Sequence, residues 1–398
     1  MNNVKIKRVF ECLLIFVFVL VIYFKNFGSD YSTNIFEGYY SYWVLIISTI
    51  TNFLYINIGD ILYFITFPLI FYYLSKSKTR RFFLYRLFLT IIFIYSWFYL
   101  SWGFNYNKLP IARSIDYKYN INELSETTDF YIDKINTNHI KLLLDESKKL
   151  VIQSSFEEIV NECKKSFEKL DYENFNIKKL KVNKSYFSKV LSYMGFSGYI
   201  NPFTIEANIN SKIPIISYPS TISHEIAHQI GYASENEANY IGILSNQISS
   251  NLEINYSGNL IALQYLLSEL YYVNKNLYSE KIKKIRKGIL KNIEEKREFR
   301  KKYRNPFEDV FKKIYDFYLK NNNQSQGIKS YGLVVNLLIH DYQSKIKDPE
   351  FSSTWFLSLI NSWFNFFNIW SYLSINNKAL SKLNICKAVG PYELSISV

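Results

Sequence analysis

"SHEIAHQIGYASENEANY", Ser223 to Tyr240, is the stretch whose reading decides what the rest of the chain is built around. His224 and His228 stand four residues apart. On a helix they project from one face, one turn apart, and two imidazoles in that relation can share one tetrahedral metal ion. Glu225 lies about 100° round the helix, where it reaches a water beside a metal rather than the metal itself. Pro219 with Ser220 or Thr221 supplies a helix start, and Gly231 a left-handed stop. The whole chain has only four histidines, so two of them framing a glutamate as HExxH is not a pattern that composition produces readily. His224 and His228 are therefore candidate metal ligands, Glu225 the candidate catalytic base, and Zn2+ the cofactor this donor set suits.

A catalytic zinc needs a third protein ligand and one open position. Ser234, three residues past Gly231, stands where a third histidine would be required, so Glu235 and Glu237 remain. In "SENEAN" Ser234 can cap a new helix, with Glu237 three residues on completing a capping box. Glu235 and Asn239 then share a face four residues apart. Gluzincin-like sites use that arrangement, the second residue steadying a ligand histidine. Glu235 is the favoured third ligand, Glu237 the alternative, and Asn239 the supporting residue behind them.

Upstream of the motif the chain changes character. Val9–Phe24, Ile56–Leu74 and Phe82–Trp102 are apolar runs near the roughly 20 residues needed to cross a bilayer. Lys5, Lys7 and Arg8 flank the first, and Lys76, Lys78, Arg80 and Arg81 lie between the second and third. The loop from Lys25 to Tyr55 holds one Lys and no Arg. The positive-inside rule then puts the N-terminus and the 75–81 loop in the cytoplasm and everything after Gly103 outside. "YYSYWVLIISTITNFLY" (Tyr39–Tyr55) reads as an interfacial or re-entrant helix. The expected location is the cytoplasmic (inner) membrane, multi-pass, with the C-terminal domain facing outward and the lipid bilayer as a partner.

The formal charge is +13, yet Lys281 to Arg304 alone holds twelve Lys/Arg against three Glu. That run reads as the solvated face of a long helix, with lipid headgroups the other surface it suits. No recognition motif accompanies it, so no nucleic acid is expected. The three cysteines form no CxxC pair, which argues against thiolate zinc and dithiol redox chemistry. Spacing leaves a Cys163–Cys386 bridge open.

Amphipathic patterns predict helices near 129–147 and 154–170, an apolar helix over 260–278, further helices near 307–319 and over 331–342, and a loop at 321–327. "IEANIN" (Ile205–Asn210) and "IPIIS" (Ile213–Ser217) read as two short strands. The tail beyond about Pro349 is dense in aromatics broken by Asn and Ser.

"WGFNY" (Trp102–Tyr106), "FSGYINPFTIEANIN" (Phe196–Asn210), "HEIAHQIGYASENEANYIG" (His224–Gly242) and "YSG" (Tyr256–Gly258) together resemble domain-of-unknown-function family 3810. Its members pair N-terminal spans with a zincin-like HExxH domain. The resemblance runs to about Tyr342 and excludes the tail. It implies a mainly α fold, with N-terminal transmembrane helices followed by a zincin-like α+β metallopeptidase domain with a small sheet. The expected domains are 1–103 (membrane), 104–348 (metallopeptidase-like) and 349–398 (aromatic-rich tail).

The function expected is a membrane-anchored zinc metallopeptidase acting on a peptide or protein substrate outside the cytoplasm. The alternatives are a non-catalytic metal-binding envelope sensor or assembly protein, and a transport or envelope-structural protein. The strand around Ile205–Ile209 is a candidate for pairing with extended substrate. Tyr256, Tyr218 and His340 are candidate oxyanion stabilisers, and His139 reads as a surface or packing residue.

Overall fold

The structure, a computed structural model, describes residues 2–27, 30–108, 111, 119–170, 172, 174–322 and 331–347. The aromatic tail and Cys386 lie outside them. Met1–Lys347 packs as one unit, with contacts running across residue 103.

Four long helices open the chain: α1 (Asn2–Phe27), α2 (Asp30–Phe53), α3 (Ile58–Ser75) and α4 (Arg80–Ser101). The Asn57 side chain caps α3 and Thr79 caps α4, each meeting main-chain N–H groups that have no partner inside the helix. Helices α3 and α4 are each long and apolar enough to cross a membrane. Helix α1, which contains the first apolar run, lies alongside α4 and parallel to it, with Phe18 edge-on to Tyr95 and the Lys25 ammonium over the Tyr99 ring.

Helix α2 behaves differently from its neighbours. Phe36, Tyr40, Val44, Ser48 and Thr51, at spacings of three and four, are buried, while Tyr42, Ile46, Ile50 and Phe53 face outward. The Tyr40 hydroxyl donates to the Gln229 carbonyl at 2.8 Å, and the Asn52 amide donates to the Lys179 carbonyl at 2.5 Å. Both contacts hold α2 along the domain.

The turn between α2 and α3 is fixed by a buried polar knot. Glu206 accepts from the Gly59 N–H at 2.5 Å and the Ile58 N–H at 3.3 Å. The Lys181 ammonium donates to the carbonyls of Thr51, Leu54 and Ile56 at 2.6–2.8 Å and lies 3.2 Å from Glu206. Of the donors freed where α3 begins, the Ile58 and Gly59 N–H groups thus find their acceptor on the domain and the Asp60 N–H finds it in the Asn57 cap.

The domain proper contains α5 (Ile121–Leu142), α6 (Phe156–Glu168), β1 (Val182–Lys184), α7 (Ser188–Met194), β2 (Gly198–Ile200), β3 (Ala207–Ile209), α8 (Tyr218–Gln229), α9 (Glu235–Gln247) and α10 (Leu252–Val273). After these come α11 (Lys275–Lys283), α12 (Lys287–Tyr303), α13 (Glu308–Asn321) and α14 (Tyr331–Lys347). Full capping boxes start α5 (Asn120 with Glu123) and α6 (Ser155 with Glu158). The α8–α9–α10 layer forms the core, where Ile222, Ile226, Ile241, Leu263 and Leu266 are fully buried, each stabilising the fold by roughly 1.5–3 kcal/mol. A Cβ at residue 242 would lie 3.0 Å from the His224 main-chain nitrogen, so α9 crosses α8 at backbone contact.

The sheet has the order β1-β3-β2, β1 parallel and β2 antiparallel to β3. Three expectations are corrected here. "IPIIS" is not a strand: Ile215–Ser217 is a 3-10 turn running into α8. Pro214 and Pro219 bracket that turn, and both sides of β3 are already paired. The same pairing denies substrate access to β3 itself. The basic run is not one helix either, because the chain breaks between α11 and α12. There Gly288 sits under the Lys148 carbonyl and donates its N–H to the Glu146 carbonyl at 2.7 Å. At the start of that run Lys281 is buried on Asp129 at 2.5 Å, so the face is only partly solvated.

Candidate metal centre

Pro219, in the first turn of α8, needs no N–H partner there and starts the helix at no cost in hydrogen bonds. The helix ends at Gly231, whose φ of +96° suits glycine. The Gly231 N–H donates to the His228 carbonyl, and the Tyr232 N–H returns to the Ala227 carbonyl, both at 3.0 Å. That tight stop reverses the chain at once, so Ser234 opens α9 with Glu235 as its first residue.

Glu235 therefore faces back onto α8. The Nε2 atoms of His224 and His228 are 3.0 Å apart. Glu235 Oε2 lies 3.4 Å from His224 Nε2, and its Oε1 lies 3.5 Å from His228 Nε2. One ligand atom from each of the three side chains lies within 4.8 Å of the others, a grouping that could hold a metal ion. His228 Nδ1–H donates to the Tyr232 carbonyl at 2.6 Å, which turns the Nε2 lone pair toward the cluster.

Charge in the cluster is strongly coupled. Burial alone lowers the affinity of His228 for its proton, but the Glu235 carboxylate beside it wins and pushes the imidazole up to about 9. Burial likewise favours the neutral form of Glu235, and the two imidazoles overcome it, holding the carboxyl well below its ordinary range. Glu225 goes the other way. Burial raises it, and the neighbouring histidines offset that only in part. Its Oε2 atom, like His224 Nδ1, is buried without a hydrogen-bond partner among the described residues. A Cβ at residue 198 would lie 2.8 Å from Glu225 Oε1, so glycine on β2 makes the room this carboxylate occupies.

Two supporting roles differ from expectation. Ser234 makes no capping bond through its side chain; its hydroxyl meets Asn236, and the Glu237 carboxylate instead accepts from the Ile111 N–H. Asn239 donates to the Glu235 main-chain carbonyl at 2.7 Å, bracing the backbone of the candidate ligand rather than a histidine.

The oxyanion candidates are engaged elsewhere in part. The Tyr256 hydroxyl bonds Asn292 at 3.0 Å, the Tyr218 hydroxyl bonds the Ser211 carbonyl at 3.0 Å, and His340 sits on α14. His139 is buried, its ring nitrogens on the Lys148 carbonyl and Arg286. Cys163 is buried, its thiol 3.7 Å from the Pro219 carbonyl.

One residue at the cluster carries no signal in the sequence. Tyr315 of α13 donates its hydroxyl to Glu235 Oε1 at 2.5 Å across 80 residues of chain. Burial first, then the Glu235 charge, keeps that phenol protonated. The Trp102 indole N–H reaches the His228 carbonyl at 3.1 Å from the end of α4.

Fold and site together define a mainly helical protein with, among the described residues, two helices long and apolar enough to span a membrane and an HExxH helix whose histidines meet a downstream glutamate. The chain belongs to the family described as protein of unknown function (DUF3810), whose model matches residues 35–339. No curated protein and no solved structure matches the chain.

Proposed function

We propose that this protein is a membrane-anchored, zinc-dependent metallopeptidase with a zincin-like domain, hydrolysing peptide bonds on the outer side of the cytoplasmic membrane. The observation that carries this reading is a convergent His224–His228–Glu235 donor set beside a buried carboxylate, Glu225, with an unpartnered oxygen. A metal-binding module without turnover has no need of that second carboxylate.

Zn2+ held by those three residues would polarise a substrate carbonyl and bring a coordinated water to a pKa of about 7. Glu225 Oε2 takes the proton from the attacking water and returns it to the leaving amine nitrogen. The raised proton affinity that burial gives Glu225 suits both steps. The Tyr315 hydroxyl, whose one proton lies on Glu235 Oε1, would have to turn from that acceptor to donate to the carbonyl oxygen as it gains negative charge. Strand β2 lies at the sheet edge beside Glu225 and can pair with an extended peptide. Orientation rests on charge: the basic 76–81 segment joins α3 and α4 at the end away from the domain, and such segments stay in the cytoplasm.

Metal analysis of the full-length protein and its variants tests the ligand set. Wild type and Glu237→Ala should carry one zinc per chain, and Glu235→Ala should lose it. A wild-type protein that takes up no zinc after reconstitution would end the enzymatic reading.

A further inference from the structure

Helix α13 presents two faces of opposite character. Tyr315, Tyr318 and Leu319 turn inward: Tyr315 reaches Glu235, Tyr318 packs edge-on against Phe98 of α4, and Leu319 is buried. Asn322, just past the helix, accepts from the Tyr99 hydroxyl at 2.5 Å. These contacts set the C-terminal end of α13 beside the last turn of α4, where a spanning helix leaves the hydrocarbon. The outward face carries Phe307, Val310, Ile314 and Phe317, at spacings of three, four and three and each at least half exposed. Neighbouring α7 adds the exposed Val190 and Tyr193. Immediately before the stripe stand Arg300, Lys301, Lys302 and Arg304, all exposed.

We propose that α13 is a membrane-surface helix whose apolar stripe rests in the interface of the bilayer that α3 and α4 cross, with the Arg300–Arg304 cluster on anionic headgroups. An apolar stripe ending in basic residues is the composition such helices use. Continuity with the end of α4 sets its height: the interfacial layer is only about 5–8 Å deep on each side. Helix α13 thereby couples lipid contact to the metal centre, since its opposite face holds the phenol on Glu235. The inference rests on the membrane-spanning part of the reading above and does not depend on peptidase activity.

The test uses full-length protein in vesicles of phosphatidylethanolamine and phosphatidylglycerol, with the photo-crosslinker p-benzoylphenylalanine placed at Ile314 or, as a control, at Phe93 on the exposed face of α4. Lipid adducts at both positions are expected. The yield at 314 should fall severalfold with Lys301→Glu and Lys302→Glu together, because each basic residue at an anionic surface is worth roughly fivefold in occupancy. The yield at 93 should not change. Lipid adducts at 93 with none at 314, or adducts from 314 to residues 349–398 or to a second copy, overturn the inference. Absence of lipid adducts at both positions removes the spanning reading along with it.

Discussion

The indole N–H of Trp102, the first residue past α4, donates to the main-chain carbonyl of His228, a metal-ligand candidate, at 3.1 Å. One residue further on, the Tyr40 hydroxyl of α2 donates to the Gln229 carbonyl at 2.8 Å. The last turn of α8 is thus held by α2 and by the residue that ends α4. Removing residues 1–103 strips both donors and leaves Glu206 and Lys181 in a knot without its partners. Such a fragment should lose cooperative thermal unfolding by circular dichroism, whereas Trp102→Phe in the full chain should cost about 1 kcal/mol.

Gly242 gives a prediction that spares every ligand. A Cβ there would meet the His224 main-chain nitrogen at 3.0 Å, so Gly242→Ala should push α9 off α8 and carry Glu235 away from the histidines. Overpacking of this kind costs about 1–3 kcal/mol. Zinc titration should show affinity falling by roughly twofold to tenfold if half of that strain reaches the site. An unchanged affinity would mean that α9 can shift without moving its first residue.

The knot at the α2–α3 turn makes a separate claim about stability. Glu206 is fully buried and Lys181 nearly so, and breaking one side of a buried pair costs about 3–5 kcal/mol. Glu206→Ala should show that loss in denaturant unfolding of the detergent-solubilised protein. Combining it with Lys181→Met should restore part of it, because the uncompensated charge is then gone.

His139 sets the direction of one pH dependence. Burial lowers its proton affinity, helped by Arg286, against the opposing bond to the Lys148 carbonyl. A histidine with a depressed folded pKa leaves the unfolded chain binding more protons in acid. Its contribution is present above the unfolded value of about 6.5 and is lost as pH falls below it. Unfolding free energies at pH 5 and pH 7.5 should therefore differ less in His139→Gln than in wild type.

What could be read from the sequence follows the range of each interaction. The HExxH spacing, the Gly231 stop and the return of Glu235 depend on residues within a dozen positions, and helical geometry alone brings them together. The role of Glu237 was also a local reading and differs, because the Ile111 N–H, 126 residues away, competes for its carboxylate. Tyr315 and the pairing that buries β3 on both sides arise only when distant segments dock. The break in the basic run has the same origin: a local charge pattern gives no warning of the Lys148 carbonyl that Gly288 must fit beneath.

On the proposed function, Glu225 moves the proton in peptide-bond hydrolysis. Its most direct test compares wild type and Glu225→Gln, both full length in lipid nanodiscs and zinc-loaded, on a mixed peptide library read by mass spectrometry. Wild type should cut peptide bonds, while Glu225→Gln should keep its zinc and lose cleavage by roughly 100-fold or more. Equal cleavage by the two proteins, or zinc-loaded wild type that cuts nothing, would contradict it.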